Sequence, residues 1–373
     1  MKKIRLSKSV VGIREKKALS KVIDHSYLGM GDFVKEFEEK LKVYLKREVV
    51  CVNSGTAALH LALMALNLNQ GAEVLVQSLT YVATYQAIKA AGYKPVSCEI
   101  VPQTCTIDLD DAKRKITDKT KVILPVHYAG RTGNLEQIYN FARKYNLHVV
   151  EDAAHAFGTI YKNKKIGSFG EIVCFSFDGI KNITSGEGGA VVTSDNKVLE
   201  YVRDARLLGV HKDTEKRYNG KRSWEFDVFF QGYRYHMSNL FAAIGIVQLA
   251  RFEKEFKIKR QILAKNYHKR LSKIKDIELF PDDYDRVVPH IFPIRILNNK
   301  RDRLRGVLEK HNIETGIHYY PNHLLSYFRN KNERLPVTER IYKELISLPL
   351  HPELTKQDQD RIIKILKKEI ERL

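Results

Sequence analysis

Between about residues 30 and 235, two patterns of apolar positions alternate along the chain. One is helical: Val34–Lys46 (VKEFEEKLKVYLK) repeats apolar residues three and four apart, the spacing of an amphipathic helix. The other is a short unbroken apolar run, which suits a strand covered on both faces. VVCV is the first such run, and it leads into NSGTAALHLALMAL, a helix apolar on nearly every side and so expected to be buried. Then come EVLV, a helix over residues 80–91, KPVSCEI, KVILPVH, a helix around residues 135–145, LHVVED, EIVCFSF and GAVVTSD. This alternation predicts an α/β fold with a mostly parallel central sheet covered by helices.

Residues 237–271 read as one long helix, apolar at first (LFAAIGIVQLA) and basic later, with Ser238 as its cap. Beyond it the pattern changes. A strand at HIFPIRIL, a helix over residues 301–310, a strand near TGIHYY and a last helix after Thr355 predict a smaller α+β unit. The Thr355-x-x-Asp358 spacing resembles a capping box. The expected division is residues 1–250 for the larger unit and 251–373 for the smaller, joined through the long helix.

Composition narrows the class. A chain of 373 residues, 43% apolar, is long enough for a sizeable core and two units. No apolar run approaches the roughly 18–20 residues of a membrane span, and the best, Leu240–Ala250, contains Gln248. The N-terminal MKKIRLSKSVVGIREKK has charges without an apolar stretch behind them, so no secretory leader is expected. Cys51, Cys98, Cys105 and Cys174 lack metal-ligand spacing and are too few for a disulfide scaffold, which predicts no metal and buried thiols in a reducing cytoplasm. Lys+Arg 64 against Asp+Glu 44 leaves a formal charge of +20. A solvated lysine-rich surface accounts for it, and so does an anionic partner. The basic residues are spread along the chain, without a zinc finger, RNA-recognition motif or basic arm, so neither nucleic acid nor membrane is the expected partner.

Three loops at predicted strand ends carry unusual chemistry, and in open parallel sheets ligands sit outside the carboxyl ends of the strands. In NSGTAAL, Ser54, Gly55 and Thr56 open a helix. That is either a plain cap or a phosphate cradle, where free N–H groups and a glycine receive an anion. In VVEDAAHAFG, Asp152 follows an apolar strand, with His155 three residues on; the carboxylate either caps the next helix or pairs with a cation. In CFSFDGIKNITSGEGG, Ser176 closes a strand and Lys181 stands in the glycine-rich loop. A partly desolvated lysine near other cations has a lowered pKa and attacks carbonyls. Phosphate, aldehyde and a ring nitrogen in need of a carboxylate together describe pyridoxal 5'-phosphate, with Lys181 holding the aldehyde and Asp152 the protonated ring nitrogen.

Asp152-x-x-His155, Ser176 and Lys181 with GEGG resemble the DegT/DnrJ/EryC1/StrS sugar aminotransferases, within fold-type I pyridoxal-phosphate enzymes. FEEKLKVYL, NSGTAALHLAL, SLTYVATYQAI, ILPVHYAG, EDAAHAFG, AAIGIVQL, IHYYPNH and SLPLHP extend the resemblance over essentially the whole chain, in order. It implies a homodimer with shared active sites, glutamate as amino donor and a nucleotide-linked keto sugar as acceptor, for a surface polysaccharide. It implies that Ser54, Gly55, Thr56 and Ser176 surround the phosphate and that His155 lies beside the ring. Tyr81 either stacks on that ring or is a core tyrosine. His318, Tyr319 and His323 either contact the sugar nucleotide or form a packed cluster. Arg234 stands where the family usually has an asparagine that reaches the partner's cofactor phosphate, so it either clamps that phosphate across the interface or faces solvent or the substrate diphosphate. A related sugar dehydratase branch has histidine in place of Lys181, and a regulatory, DNA-binding protein on this fold is supported by charge alone.

Overall fold

The apolar runs of the first two hundred residues become the strands of one sheet. The structure is a computed structural model and describes residues 2–330 and 332–372. The strands are β1 (Glu48–Val52), β2 (Glu73–Gln77), β3 (Lys94–Cys98), β4 (Thr120–Leu124), β5 (His148–Asp152), β8 (Ile172–Ser176) and β9 (Gly189–Thr193), with β6 (Ile160–Tyr161) and β7 (Lys164–Lys165) as a separate small hairpin. Their order across the sheet is β1-β9-β8-β5-β4-β2-β3. Pairings from β8 to β3 are parallel, and β9 alone is reversed, antiparallel to both β1 and β8. The mostly parallel sheet therefore stands as expected. Successive strand residues point to opposite faces. Val49 and Cys51 accordingly join one core, while Val50 and Val52 join the other.

The helix Gly55–Ala65 is buried along Ala57–Leu63, as its all-round apolar pattern predicted. The helix expected over residues 80–91 begins only at Val82, which leaves Thr80 and Tyr81 before its first turn.

The smaller unit holds an antiparallel sheet of β10 (Ile277–Glu278), β11 (Phe292–Ile296) and β12 (Leu345–Leu348). The helices Arg301–Lys310 and Lys356–Arg372 pack on it through Leu304, Leu308, Ile362 and Leu366. Thr355 and Asp358 form the reciprocal cap: the Asp358 amide donates to Thr355 Oγ1 at 3.0 Å, and the Thr355 amide to Asp358 Oδ2 at 3.2 Å.

Three expectations are corrected. TGIHYY is not a strand; only Gly316 bridges to Ser347, and His318 is held by Ser347 Oγ from the smaller unit and the Tyr128 hydroxyl from the larger. The long helix starts at Asn239 behind the Ser238 cap, and a π turn at Phe252–Phe256 interrupts it before Lys257–Leu271. That turn carries Phe252 and Phe256 into the larger core before Leu263, Tyr267 and Leu271 enter the smaller one. Finally, a boundary at residue 250 assigns the N-terminal stretch to the larger unit, yet Ile4 is buried in the smaller core and bridges Ile313.

Candidate active site

Because β9 runs backwards, its first residue, Gly189, meets the carboxyl ends of β1 and β8 at Val52 and Ser176. The ends of β2, β4 and β5 lie along the same edge, since those strands run parallel to β8. A cavity of about 520 Å³ opens there. Ser54, Gly55, Thr56, Tyr81, Asp152, His155, Ser176 and Lys181 line it from the larger unit, and His318 and Tyr319 from the smaller.

At one end the helix Gly55–Ala65 presents its N-terminus. Ser54 Oγ accepts the Ala57 amide at 3.1 Å, so this side chain is the cap. The amides of Gly55 and Thr56 have no partner among the described residues, as expected of a first turn. A Cβ on Gly55 would lie 2.8 Å from Ser176 Cβ, so glycine is what lets the helix start approach the end of β8. Ser176 is buried at that contact.

Asp152 is the last residue of β5, buried, and both of its oxygens are engaged. Thr84 Oγ1 donates to Oδ2 at 2.8 Å, and the Ala154 amide donates to Oδ1 at 3.2 Å. His155 Nδ1 accepts the Ala129 amide at 3.3 Å, and its Nε2 lies 3.0 Å from the Tyr319 hydroxyl. Burial, reinforced by the charges of Lys181 and His318, holds this imidazole well below its ordinary pKa. Tyr81 is not a core tyrosine: it is 57% exposed, with its ring 5.5 Å from that of Tyr319.

Lys181 sits on a loop tied down from three sides. Its amide donates to the Asp178 carbonyl at 3.1 Å, Arg260 Nη2 reaches its carbonyl at 3.4 Å, and the neighbouring Asn182 donates to the carbonyls of Phe157 and Val288. Burial pushes the Lys181 amine down to about 8, against the carboxylates of Asp152 and Asp178, which favour its charge. A lysine in that range keeps a usable minority of neutral, nucleophilic amine near neutral pH and takes up a proton readily.

Two sequence-predicted residues lie elsewhere. His323 is buried, with Nδ1 2.7 Å from Ser78 Oγ and Nε2 3.3 Å from Glu339, and does not reach the cavity; its expected substrate contact is corrected to an internal tie. Arg234 is exposed outside its own chain's cavity, where its carbonyl accepts from Asn53. Sequence reasoning missed Thr84, His290, Asp178 and Glu187, which also line the cavity. Thr84 stands three residues after Tyr81, one helical turn, and that spacing was a usable signal. His290 arrives from far along the chain to lie 4.5 Å, ring to ring, from His155, and no local pattern announces it.

Among the described lining residues, Lys181 is the single Lys or Arg and faces three carboxylates, Asp152, Asp178 and Glu187. His155, His290 and His318 are all depressed by burial, His318 to about 4. One chain therefore offers an anion helix-terminal amides and hydroxyls rather than surplus positive charge.

The family model of the DegT/DnrJ/EryC1/StrS aminotransferase family matches residues 11–367. An uncharacterised protein of Methanocaldococcus jannaschii, MJ1066, is 36% identical over 364 residues, 94% of each chain. Among solved structures, Helicobacter pylori PseC, an aminotransferase involved in the biosynthesis of pseudoaminic acid, superposes with a TM-score of 0.93 at 28% identity over 100% of both chains. The putative sugar aminotransferase Spr1654 of Streptococcus pneumoniae, in its pyridoxal-phosphate form, gives 0.91 at 27% identity over 100% of this chain and 99% of that one.

Proposed function

The chain belongs to the DegT/DnrJ/EryC1/StrS aminotransferase family, and from that premise we propose that it moves an amino group from glutamate to a nucleotide-linked 3- or 4-keto-6-deoxyhexose destined for a surface polysaccharide. Its cofactor is pyridoxal 5'-phosphate. The observation that carries the reading is a lysine depressed to about 8 in one cavity with a buried carboxylate and a helix N-terminus.

The residues present fit the cofactor. The free amides of Gly55 and Thr56, with the Ser176 hydroxyl, would take the phosphate, which needs donors and a positive dipole end. Asp152, oriented by Thr84, would keep the ring nitrogen protonated, and Tyr81 would cover the ring. When bound, pyridoxal phosphate supplies an aldehyde carbon and a ring that accepts an electron pair from the donor's α-carbon. Lys181 would hold the aldehyde carbon, and its amine, when free, would be the group placed to take up and give back a proton in the cavity. An amine near 8 serves in both directions at physiological pH, because neither protonation state is far away.

The shortage of positive charge in the cavity supports a homodimer in which the partner completes the site. Arg234 is the residue we assign to that contact, since a guanidinium makes paired hydrogen bonds to phosphate oxygens. Trp224, 87% exposed, and Phe229, 70% exposed, precede Arg234 in the stretch between the helices Asp213–Tyr218 and Asn239–Arg251, and support a second copy covering it. Four buried, unpaired cysteines support a reducing, cytoplasmic setting.

The test is one screen: purified protein and glutamate against a panel of nucleotide-linked keto sugars, with products read by mass and NMR. Borohydride should in parallel fix cofactor mass to the peptide holding Lys181. No aminated sugar from any member, or label on another lysine, would sink the reading.

A further inference from the structure

The hydrogen bonds of His155 and Tyr319 have a fixed direction. A backbone N–H only donates, so the Ala129 amide at 3.3 Å makes His155 Nδ1 an acceptor that carries no proton. The imidazole is held neutral by burial, so its single proton sits on Nε2. Nε2 lies 3.0 Å from the Tyr319 hydroxyl oxygen and therefore donates to it. The phenol's own hydrogen must point elsewhere, and it has no other partner among the described residues. Burial, with the Asp152 carboxylate nearby, pushes the phenol up, so it keeps that hydrogen at every physiological pH. Tyr319 lines the cavity beside Lys181. The segment carrying it is held by both units: the Tyr128 hydroxyl donates to the His318 carbonyl, His318 Nδ1 meets Ser347 Oγ at 2.8 Å, and Asn322 donates to the Thr80 carbonyl at 2.8 Å.

We propose that Tyr319 is a dedicated hydrogen-bond donor to an anionic or carbonyl oxygen of a ligand in this cavity, and that His155 is the positioning residue that turns the phenol's hydrogen toward it. Two oxygens have that chemistry, the ring oxygen of the cofactor and the ketone oxygen of the acceptor; naming them rests on the aminotransferase reading above. Neither His155 nor Tyr319 is then free to act as a base, which leaves proton movement to Lys181.

Nitrogen NMR of His155 in the cofactor-free protein tests the direction itself. Nε2 should be protonated and Nδ1 bare from about pH 5 to 8. The opposite tautomer, or an imidazolium in that range, overturns the proposal. Tyr319→Phe removes the donor and keeps the ring. If the oxygen is the cofactor's, the pH at which the loaded protein's visible absorbance changes should move up by about one unit. An oxygen without its donor holds a proton more tightly on the Lys181 nitrogen. If it is the acceptor's, that titration stays put, and the half-reaction with keto sugar slows by about tenfold while the glutamate half-reaction keeps its rate. A variant unchanged in both overturns the donor role. Wild-type protein without a visible band or a glutamate half-reaction would count against the aminotransferase reading instead, and the NMR result would stand apart from it.

Discussion

Among single residues, Lys181 is the one whose surroundings change its chemistry most. Burial takes its amine from an ordinary 10.5 to about 8, and Asp178 and Asp152 oppose that shift. For a lysine, a lowered pKa means that the neutral nucleophile is abundant from about pH 8 upward instead of only above about 10. The rate at which cofactor-free protein captures pyridoxal phosphate should therefore rise to about pH 8 and then level off. Asp178→Asn removes a carboxylate that favours the charged amine, so its plateau should begin at lower pH. Stopped-flow absorbance measures both, and a wild-type rate still climbing at about pH 10 would contradict the shift. Lys181 and Asp152 stood out in the sequence because a cation in a glycine-rich loop and a carboxylate after an apolar strand are local anomalies, and both line the cavity. His323 looked equally chemical, but the fold turned it inward onto Ser78 and Glu339.

For the elements, the helix Gly55–Ala65 shows how a local signal becomes a site. Its apolar surface buries it against β8 and β9, and that packing brings its first turn onto the end of β8. Gly55→Ala would put a methyl 2.8 Å from Ser176 Cβ, inside ordinary contact distance. We expect this to cost about 1–3 kcal/mol of stability and to weaken cofactor binding, because helix start and strand end must separate. Adding Ser176→Gly should recover part of the stability by removing the side-chain contact, the Ser176 Cα remaining 3.3 Å from the new methyl, but not the affinity, since the hydroxyl is lost. Denaturant unfolding and cofactor titration of the two variants separate these effects, and a Gly55→Ala protein of wild-type stability and affinity would refute the close approach. The capping box at Thr355 and the helix Arg301–Lys310 were read correctly because their signals are local. TGIHYY was misread for the opposite reason: its His318 is held through the ring by the Ser347 hydroxyl and through the carbonyl by the Tyr128 hydroxyl, both brought from far along the chain.

In the whole molecule, the two units are held together by buried polar contacts as well as the long helix. Arg131 and Asp282 form a bidentate pair at 2.6 and 2.7 Å, both nearly fully buried. His290, His318 and Tyr319 line the cavity from the smaller unit's side. The charge balance of the cavity is the feature with the widest consequence. With Lys181 facing three carboxylates, the described lining residues offer no surplus positive charge to an anionic ligand. Mixing Arg234→Ala subunits with Lys181→Ala subunits tests directly whether the partner supplies it. A mixed dimer would keep one site with both residues intact and recover activity that neither parent shows. Proven mixed dimers without recovery, or a fully active Arg234→Ala enzyme, would remove Arg234 from the site.

The sequence by itself determined the alternating elements, the buried character of the Gly55–Ala65 helix, the placing of Lys181 and Asp152 at strand ends, and the ordered motifs of a family. Each is a statement about neighbours in the chain, where periodicity and helix or strand termini dictate which face is buried and which group is left free. The tertiary structure alone decided that β9 runs backwards, that Ile4 packs in the smaller core, and that His290 arrives beside His155. It also decided the direction of the bond between His155 and Tyr319, 164 positions apart. These depend on which distant surfaces pack together once their loops have closed, and no spacing within a single segment encodes that choice.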